Sequence, residues 1–319
     1  MPDIPVRTQG LQAVEKKKNR LGRLIWQNRQ IYLILILGLT YYVIFSYIPM
    51  AGLQLAFKEF NAKLGIWGSK WVGGLNYSFV FRDPYFWKAM INTVTISLQR
   101  ICFQFPVPII LALLINEFNS RKYKRVLQTV YTFPHFLSWV IISGIMFNLF
   151  EAKGLVNNIL EATGREPYNF LTSLIIIRPI LYITENWKSA GWSAIIYLAA
   201  ISGIDAEQYE SAVIDGASRW QRMLFITLPG IRETIIILFI LAVGGIMNAG
   251  FDQIFNLGNV AVQSKIDILD WYIYRVTFQG STDFGFSTAI SFMKAMINFT
   301  LLLTANQISR LVTKTGLFA

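Results

Sequence analysis

Apolar residues in this chain fall in long unbroken runs rather than in the short alternations of a soluble protein. Residues 30–50 contain no charged side chain and include Ile31-Tyr32-Leu33-Ile34-Leu35-Ile36-Leu37. A helix that crosses the hydrocarbon core needs about 20 mostly apolar residues. Segments of that length occur at roughly 30–50, 89–116, 128–150, 181–203, 231–255 and 286–306. The pattern predicts an all-α, polytopic membrane protein with about six transmembrane helices. The first run does not read as a cleavable signal. It lies behind a charged leader and runs into Pro49-Met50-Ala51-Gly52-Leu53-Gln54, which lacks a small-residue cleavage pattern. Pro106 and Pro108 predict a kink in the second span, and Gly244-Gly245 with Gly250 predict close packing or bending in the fifth.

Composition agrees. Hydrophobic residues make up 54% of the 319 residues and charged residues only 15%, against about a quarter charged in soluble domains. Disordered, collagen-like and disulfide-scaffold classes are excluded. The only cysteine is Cys102 and the only histidine His135, so no catalytic or metal-ligating cluster is expected. The net charge of +11 is read as membrane-flanking loops against lipid, not as a nucleic-acid surface. Arg7, Lys16, Lys17, Lys18, Arg20, Arg23 and Arg29 precede the first span, and Arg121, Lys122, Lys124 and Arg125 follow the second. Arg219, Arg222 and Arg232 follow the fourth, and Arg310 and Lys314 the sixth. In the alternate loops basic residues are nearly cancelled by Glu59, Asp83, Glu151, Glu161, Glu166, Asp267, Asp270 and Asp283. Both termini are therefore expected in the cytoplasm, with a basic leader at 1–29, a transmembrane domain at 30–310 and a tail at 311–319. The outer loops hold Trp67, Trp71, Tyr77, Phe79, Phe81, Tyr85, Phe86 and Trp87. These fit an interfacial aromatic belt or a docking surface for an extracytoplasmic partner.

The loop at 204–230 is written as two helices. Asp205 with Gln208 reads as a capping box, and Tyr209, Ala212 and Val213 then share one face. Gly216 supplies a sharp turn. Ser218 with Gln221 repeats the box, and Pro229 is expected to end the second helix. The product is a helix–glycine–helix knuckle at the membrane surface. It suits transmission of motion to a cytoplasmic partner, or is simply an amphipathic surface helix.

Glu210-Ser211-Ala212, three residues, Gly216, nine residues, Ile226, one residue, Leu228-Pro229 resembles the motif Glu-Ala-Ala-x3-Gly-x9-Ile-x-Leu-Pro of ABC importer permeases. Ser211 replaces the first alanine, small for small. Flanking stretches at Gly191–Ala200, at Glu207–Glu210 and from Thr288-Ala289 through Ala305–Arg310 resemble the carbohydrate-uptake, LplB-like branch. The resemblance covers the chain from about residue 30. It implies a type I ABC importer permease fold in the inner membrane of a bacterium, with a second permease as heterodimer mate, two ATP-binding subunits beneath and an extracytoplasmic solute-binding protein above. It also implies that the knuckle is the coupling helix, with Glu210, Ser211, Ala212, Gly216, Ile226, Leu228 and Pro229 as its motif positions. No Gly-x4-Gly-Lys-Ser/Thr string occurs in the sequence. ATP and magnesium are thus expected in the partner ATPase, and this chain is expected to bind no cofactor and catalyse nothing.

Charges at a bilayer centre cost about 2.5–3.5 kcal/mol on insertion scales, so they tend to face protein or a wet cavity. Helical spacing groups Asn92, Ile96, Gln99 and Phe103 with adjacent Arg100, and Tyr182, Glu185, Lys188 and Trp192. It also groups Asn248, Asp252 and Asn256, and Ser287, Ser291, Lys294 and Asn298. These stripes read as a pathway lined for saccharide, or as polar glue between helices. Glu185 and Lys188 could simply pair. Arg100, Lys188 and Lys294 outnumber Glu185 and Asp252, which points to an acidic, uronate-containing cargo such as alginate or pectin fragments. A gradient-driven secondary transporter working through Asp252 or Glu185 is the alternative. A serine protease would need Ser193 or Ser218 to meet His135 from a different segment.

Overall fold

The structure is a computed structural model. It describes residue 24 and residues 26–280, 283–313 and 316, so most of the basic leader expected at 1–29 lies outside the described residues. Helix dominates. The strand pairing among the described residues is a two-residue antiparallel ladder of Lys58–Glu59 on Lys70–Trp71. Arg29–Phe57, Pro84–Asn116, Trp139–Ala162 and Phe284–Leu311 are each long and apolar enough to cross a membrane. Two bent pairs flank the knuckle, Ile177–Ser202 with Ala206–Ile214 at 74° and Arg219–Gly230 with Arg232–Gly244 at 60°. With one span in each bent pair the number among the described residues is six.

The first span buries none of its helical residues at 29–42. The second is Pro84–Gln104 followed by Pro106–Asn116, and Phe105 between them keeps helical dihedrals. The prolines therefore interrupt the hydrogen bonding while the span remains one continuous segment. Two expected spans are broken. The third does not run through 128–150. Arg121–Thr132 is a separate amphipathic helix, and a tight turn at Phe133–Phe136 contains Pro134. Ser138 then caps a new helix at Trp139–Phe150 by accepting the Ile141 N–H at 3.3 Å. The fifth stops at Gly244, crosses a non-helical stretch ending at left-handed Gly250 (φ +80°), and resumes at Phe251–Leu257. Asn248 consequently does not share a helical face with Asp252 and Asn256.

Among the described residues, three apolar clusters hold the bundle. One joins Ile96, Ile142, Ile177 and Leu181 to the segment around Ile254–Ile268. A second, at the end away from the knuckle, packs Ala56, Val80, Phe86 and Leu269 on Ala289 and Ile290. The third sits under the knuckle and joins Ala112, Leu113, Ala194, Tyr197, Ile201, Met223 and Ile231. Large apolar side chains cover the outside of the bundle, for example Ile34, Ile183 and Phe299, as a lipid-facing surface requires. Two helices cross closely at Gly191, where an added Cβ would lie 2.1 Å from the Tyr131 carbonyl oxygen.

Candidate functional site

The knuckle forms from local rules. Asp205 caps Ala206–Ile214 by accepting the Glu207 N–H at 3.0 Å. Gln208 takes part through its backbone N–H, which donates to the Asp205 carbonyl at 3.3 Å, rather than through the expected side-chain box. At the C-terminus Gly216 adopts φ +76°. Its N–H donates to the Val213 carbonyl at 3.0 Å, and the Ala217 N–H to the Ala212 carbonyl at 2.8 Å. This is the paired bonding of a Schellman turn, which a left-handed glycine makes without penalty. Ser218 and Gln221 form the expected reciprocal box and start Arg219–Arg222.

Pro229 does not end the second helix. The chain passes through a widened turn at Met223–Thr227 and stays helical to Gly230. A proline ring collides with the carbonyl four residues earlier. The wide turn spans that position, Phe225, and so accommodates the ring. The Tyr209 hydroxyl lies 3.0 Å from the Thr227 hydroxyl and ties the two arms together. Ile204 packs so close to Gly230 that a Cβ there would lie 2.6 Å from it. Of the motif positions, Glu210, Ser211, Gly216 and Pro229 are exposed, while Ala212, Ile226 and Leu228 are half-buried. The tip presents Val213, Ile214, Trp220, Leu224 and Phe225 to the outside, with Ile214 85% exposed. A braced lever with an uncovered apolar tip can be pushed by a partner that covers it.

Between the second span, the fourth span and the break in the fifth lies a cavity of about 420 Å³. Arg100 and Asn248 line it together with Glu185. Most of the other polar residues singled out in the spans are engaged by the fold. The Asn92 amide donates to the Ser264 and Asp267 carbonyls and accepts from Arg178 at 2.9 Å. Arg178, half-buried near the start of the fourth span, also donates to the Lys265 carbonyl. The Tyr182 hydroxyl donates to Gln99 Oε1. Lys294 forms an ion pair with Asp270 at 2.5 Å. Ser291 bonds back to the Ser287 carbonyl. The Asn298 Oδ1 accepts the Met247 N–H at 3.0 Å in the fifth-span break. Trp192 stacks on His135 with ring centroids 4.5 Å apart. Asp252 is exposed.

Lys188 does not pair with Glu185. Its ammonium donates to the His135 and Leu137 carbonyls, left open by the turn before the third span. Glu185 instead accepts from the Ser189 hydroxyl at 2.6 Å. Lys188→Met should therefore destabilise the detergent-solubilised chain by about 1.5–3 kcal/mol, the usual range for a bond to a charged group. A thermal melt with an unchanged midpoint would contradict the structural role.

The cation excess behind the acidic-cargo expectation shrinks accordingly. Lys188 and Lys294 are satisfied internally, which leaves Arg100 facing Glu185 across the cavity. Sequence reasoning passed over Ser97 and Gln104, which also line it. They share a face with Arg100 at spacings of three and four, one step round the helix from the stripe through Asn92, Gln99 and Phe103.

Farther out, the segment after the fifth span is pinned by three acids. Asp83 accepts from the Tyr272 hydroxyl, Asp267 pairs with Arg275, and Asp270 pairs with Lys294. Burial raises the Asp267 carboxyl above the usual carboxylate range against the opposing pull of Arg275. Burial and then the Asp83 carboxylate raise the Tyr272 phenol.

Comparison with known proteins gives a consistent picture. The family described as "Binding-protein-dependent transport system inner membrane component" matches residues 104–314. Protein LplB of Bacillus subtilis (strain 168) is 40% identical over 294 residues, covering 92% of each chain. The polygalacturonan/rhamnogalacturonan transport system permease protein YteP of the same organism is 37% identical over 305 residues, covering 95% of this chain and 94% of that one. A crystal structure of a bacterial ABC transporter involved in import of the acidic polysaccharide alginate matches with a TM-score of 0.83 and 38% identity. The match covers 92% of this chain and 99% of the solved one.

Proposed function

Because the chain belongs to the binding-protein-dependent transport system inner membrane component family, within its carbohydrate-uptake ABC permeases, we propose how this multi-pass importer subunit is driven and what it carries. The chain is the membrane-spanning permease of an oligosaccharide importer. Its knuckle docks in a cleft of an ATP-binding subunit, which covers Ile214, Trp220 and Phe225 and supplies the nucleotide and magnesium. Closure of two such subunits pushes the knuckle, and the Schellman turn and the Tyr209–Thr227 tie pass the push to the fourth and fifth spans. A second permease completes the pathway, and a solute-binding protein delivers cargo at the opposite end. Both termini then lie in the cytoplasm, on the ATPase side.

The observation that carries this reading is the braced glycine knuckle with its exposed apolar tip in a chain of this family. The cargo is an acidic, uronate-containing saccharide. Support comes from relatives whose names specify polygalacturonan and alginate, with a guanidinium in the cavity as the local counterpart. Glu210 stands exposed on the knuckle, so Glu210→Lys should lower ATPase retention on purification about tenfold or more, the scale for reversing one interfacial charge. Uptake of oligogalacturonate into vesicles that enclose ATP should fall in parallel. Full ATPase retention by the variant would remove Glu210 from the docking surface. Wild-type uptake without internal ATP would favour the gradient-driven alternative.

A further inference from the structure

Buried polar side-chain atoms in folded proteins nearly always have hydrogen-bond partners, and an exception calls for a reason. Among the described residues, Ser97 Oγ, Arg100 Nε and Gln104 Nε2 are buried without a protein partner. All three sit on one face of the second span and line one cavity. Spacings of three and four residues stack them along the helix axis, so their side chains form a polar ladder along the wall.

The guanidinium in this ladder is held in place. Arg100 Nη2 donates to Gln253 Oε1, and fully buried Gln253 is itself fixed by bonds to the Leu181 carbonyl at 2.7 Å and Thr184 Oγ1 at 2.8 Å. Gly250 leaves the room the group needs, since a Cβ there would lie 2.1 Å from Arg100 Nη1. Glu185 lies on the opposite wall, oriented by Ser189. A planar guanidinium fixed in the wall of the cavity has the geometry that matches a carboxylate. Neighbouring amide and hydroxyl groups match ring hydroxyls. A volume of about 420 Å³ falls within the usual range of about 300–1,000 Å³ for small-ligand sites, which suits a short stretch of saccharide.

We propose that Ser97, Arg100 and Gln104 form a uronate-reading subsite in the translocation path. Arg100 takes the carboxylate, Gln104 and Ser97 take ring hydroxyls, and Glu185 sets how strongly the negative charge is welcomed. The proposal rests on the reading of this chain as a permease for acidic saccharides and assigns the selectivity of that path to named residues. Lys188, Lys294 and Arg178 take no part, because each is engaged by the fold.

The test uses the complete transporter in vesicles, with its binding protein loaded either with a galacturonate oligomer or with the methyl ester of the same oligomer. The ester keeps the hydroxyls and removes the charge. The wild type should import the acid faster by about 10- to 100-fold, the range for one charge-assisted hydrogen bond. Arg100→Gln should bring that ratio close to one, and Glu185→Gln should raise it above wild type. Gln104→Leu breaks no protein hydrogen bond made by that amide nitrogen. It should raise KM for acid and ester alike and leave their ratio unchanged, so it tests the ladder even where Arg100→Gln fails to assemble. An unchanged ratio in Arg100→Gln, or an unchanged KM in Gln104→Leu, overturns the subsite while the wild type still prefers the acid. A wild type that prefers the ester or imports neither overturns the acidic-cargo reading, and the subsite with it.

Discussion

Gly216→Pro should abolish saccharide uptake while leaving the chain inserted in the membrane. Gly216 holds φ +76° and its N–H donates to the Val213 carbonyl. Proline fixes φ near −65° and has no N–H, so it removes both features of the turn. A misplaced proline costs about 3 kcal/mol or more, which lowers the population of the formed turn by about 100-fold. The arms on either side keep their own starts, through Asp205 and the Ser218–Gln221 box, and the spans do not depend on the turn for their apolar burial. Insertion, read by protease protection of the outer loops, should match wild type. Uptake and cargo-stimulated ATP hydrolysis should both fall to background. Uptake at wild-type rate would show that the knuckle transmits nothing.

Gly191→Leu should act earlier and prevent a stable permease from forming. The backbone of Tyr131 and Thr132 occupies the space a side chain would need, with the Tyr131 carbonyl oxygen 2.1 Å and the Thr132 nitrogen 2.9 Å from an added Cβ. Backbone cannot turn aside as a side chain can. The whole helix Arg121–Thr132 must move away from the fourth span, which would also draw the turn at Phe133–Phe136 away from Lys188. Overpacking costs about 1–3 kcal/mol and occasionally more, and contact with backbone places this case at the upper end. The expected result is little monodisperse protein by size exclusion after mild solubilisation. A monodisperse variant with a wild-type melting midpoint would contradict the close crossing. Gly191→Ala brings the same Cβ against the Tyr131 backbone and should also lower the yield.

The spans were legible because a run of apolar side chains reports burial in lipid directly. The knuckle was legible because its turn and caps are local: Gly216, Ser218 and Gln221 lie within six residues and satisfy one another. The break at residues 133–138 was not legible, and the one at 245–250 was legible only as a bend at Gly244-Gly245 and Gly250. An interrupted helix inside an apolar run leaves the hydropathy unchanged, and the groups that make the interruption tolerable come from distant sequence. Lys188 serves the carbonyls of His135 and Leu137, and Asn298 serves the N–H of Met247. The polar residues that looked most like a pathway are in part the pieces that satisfy these broken helices. Arg100 was legible as a cation inside a span, but Ser97 and Gln104 beside it were not. Their significance comes from lacking a partner in a cavity, which spacing alone does not reveal.

The most direct test of the account is gentle solubilisation of the tagged chain from its native membrane, followed by mass spectrometry of what remains bound. The account predicts a second permease and a protein that carries a Gly-x4-Gly-Lys-Ser/Thr phosphate-binding loop, with both retained in the same particle. Recovery of the chain alone, active in transport without ATP, would contradict it.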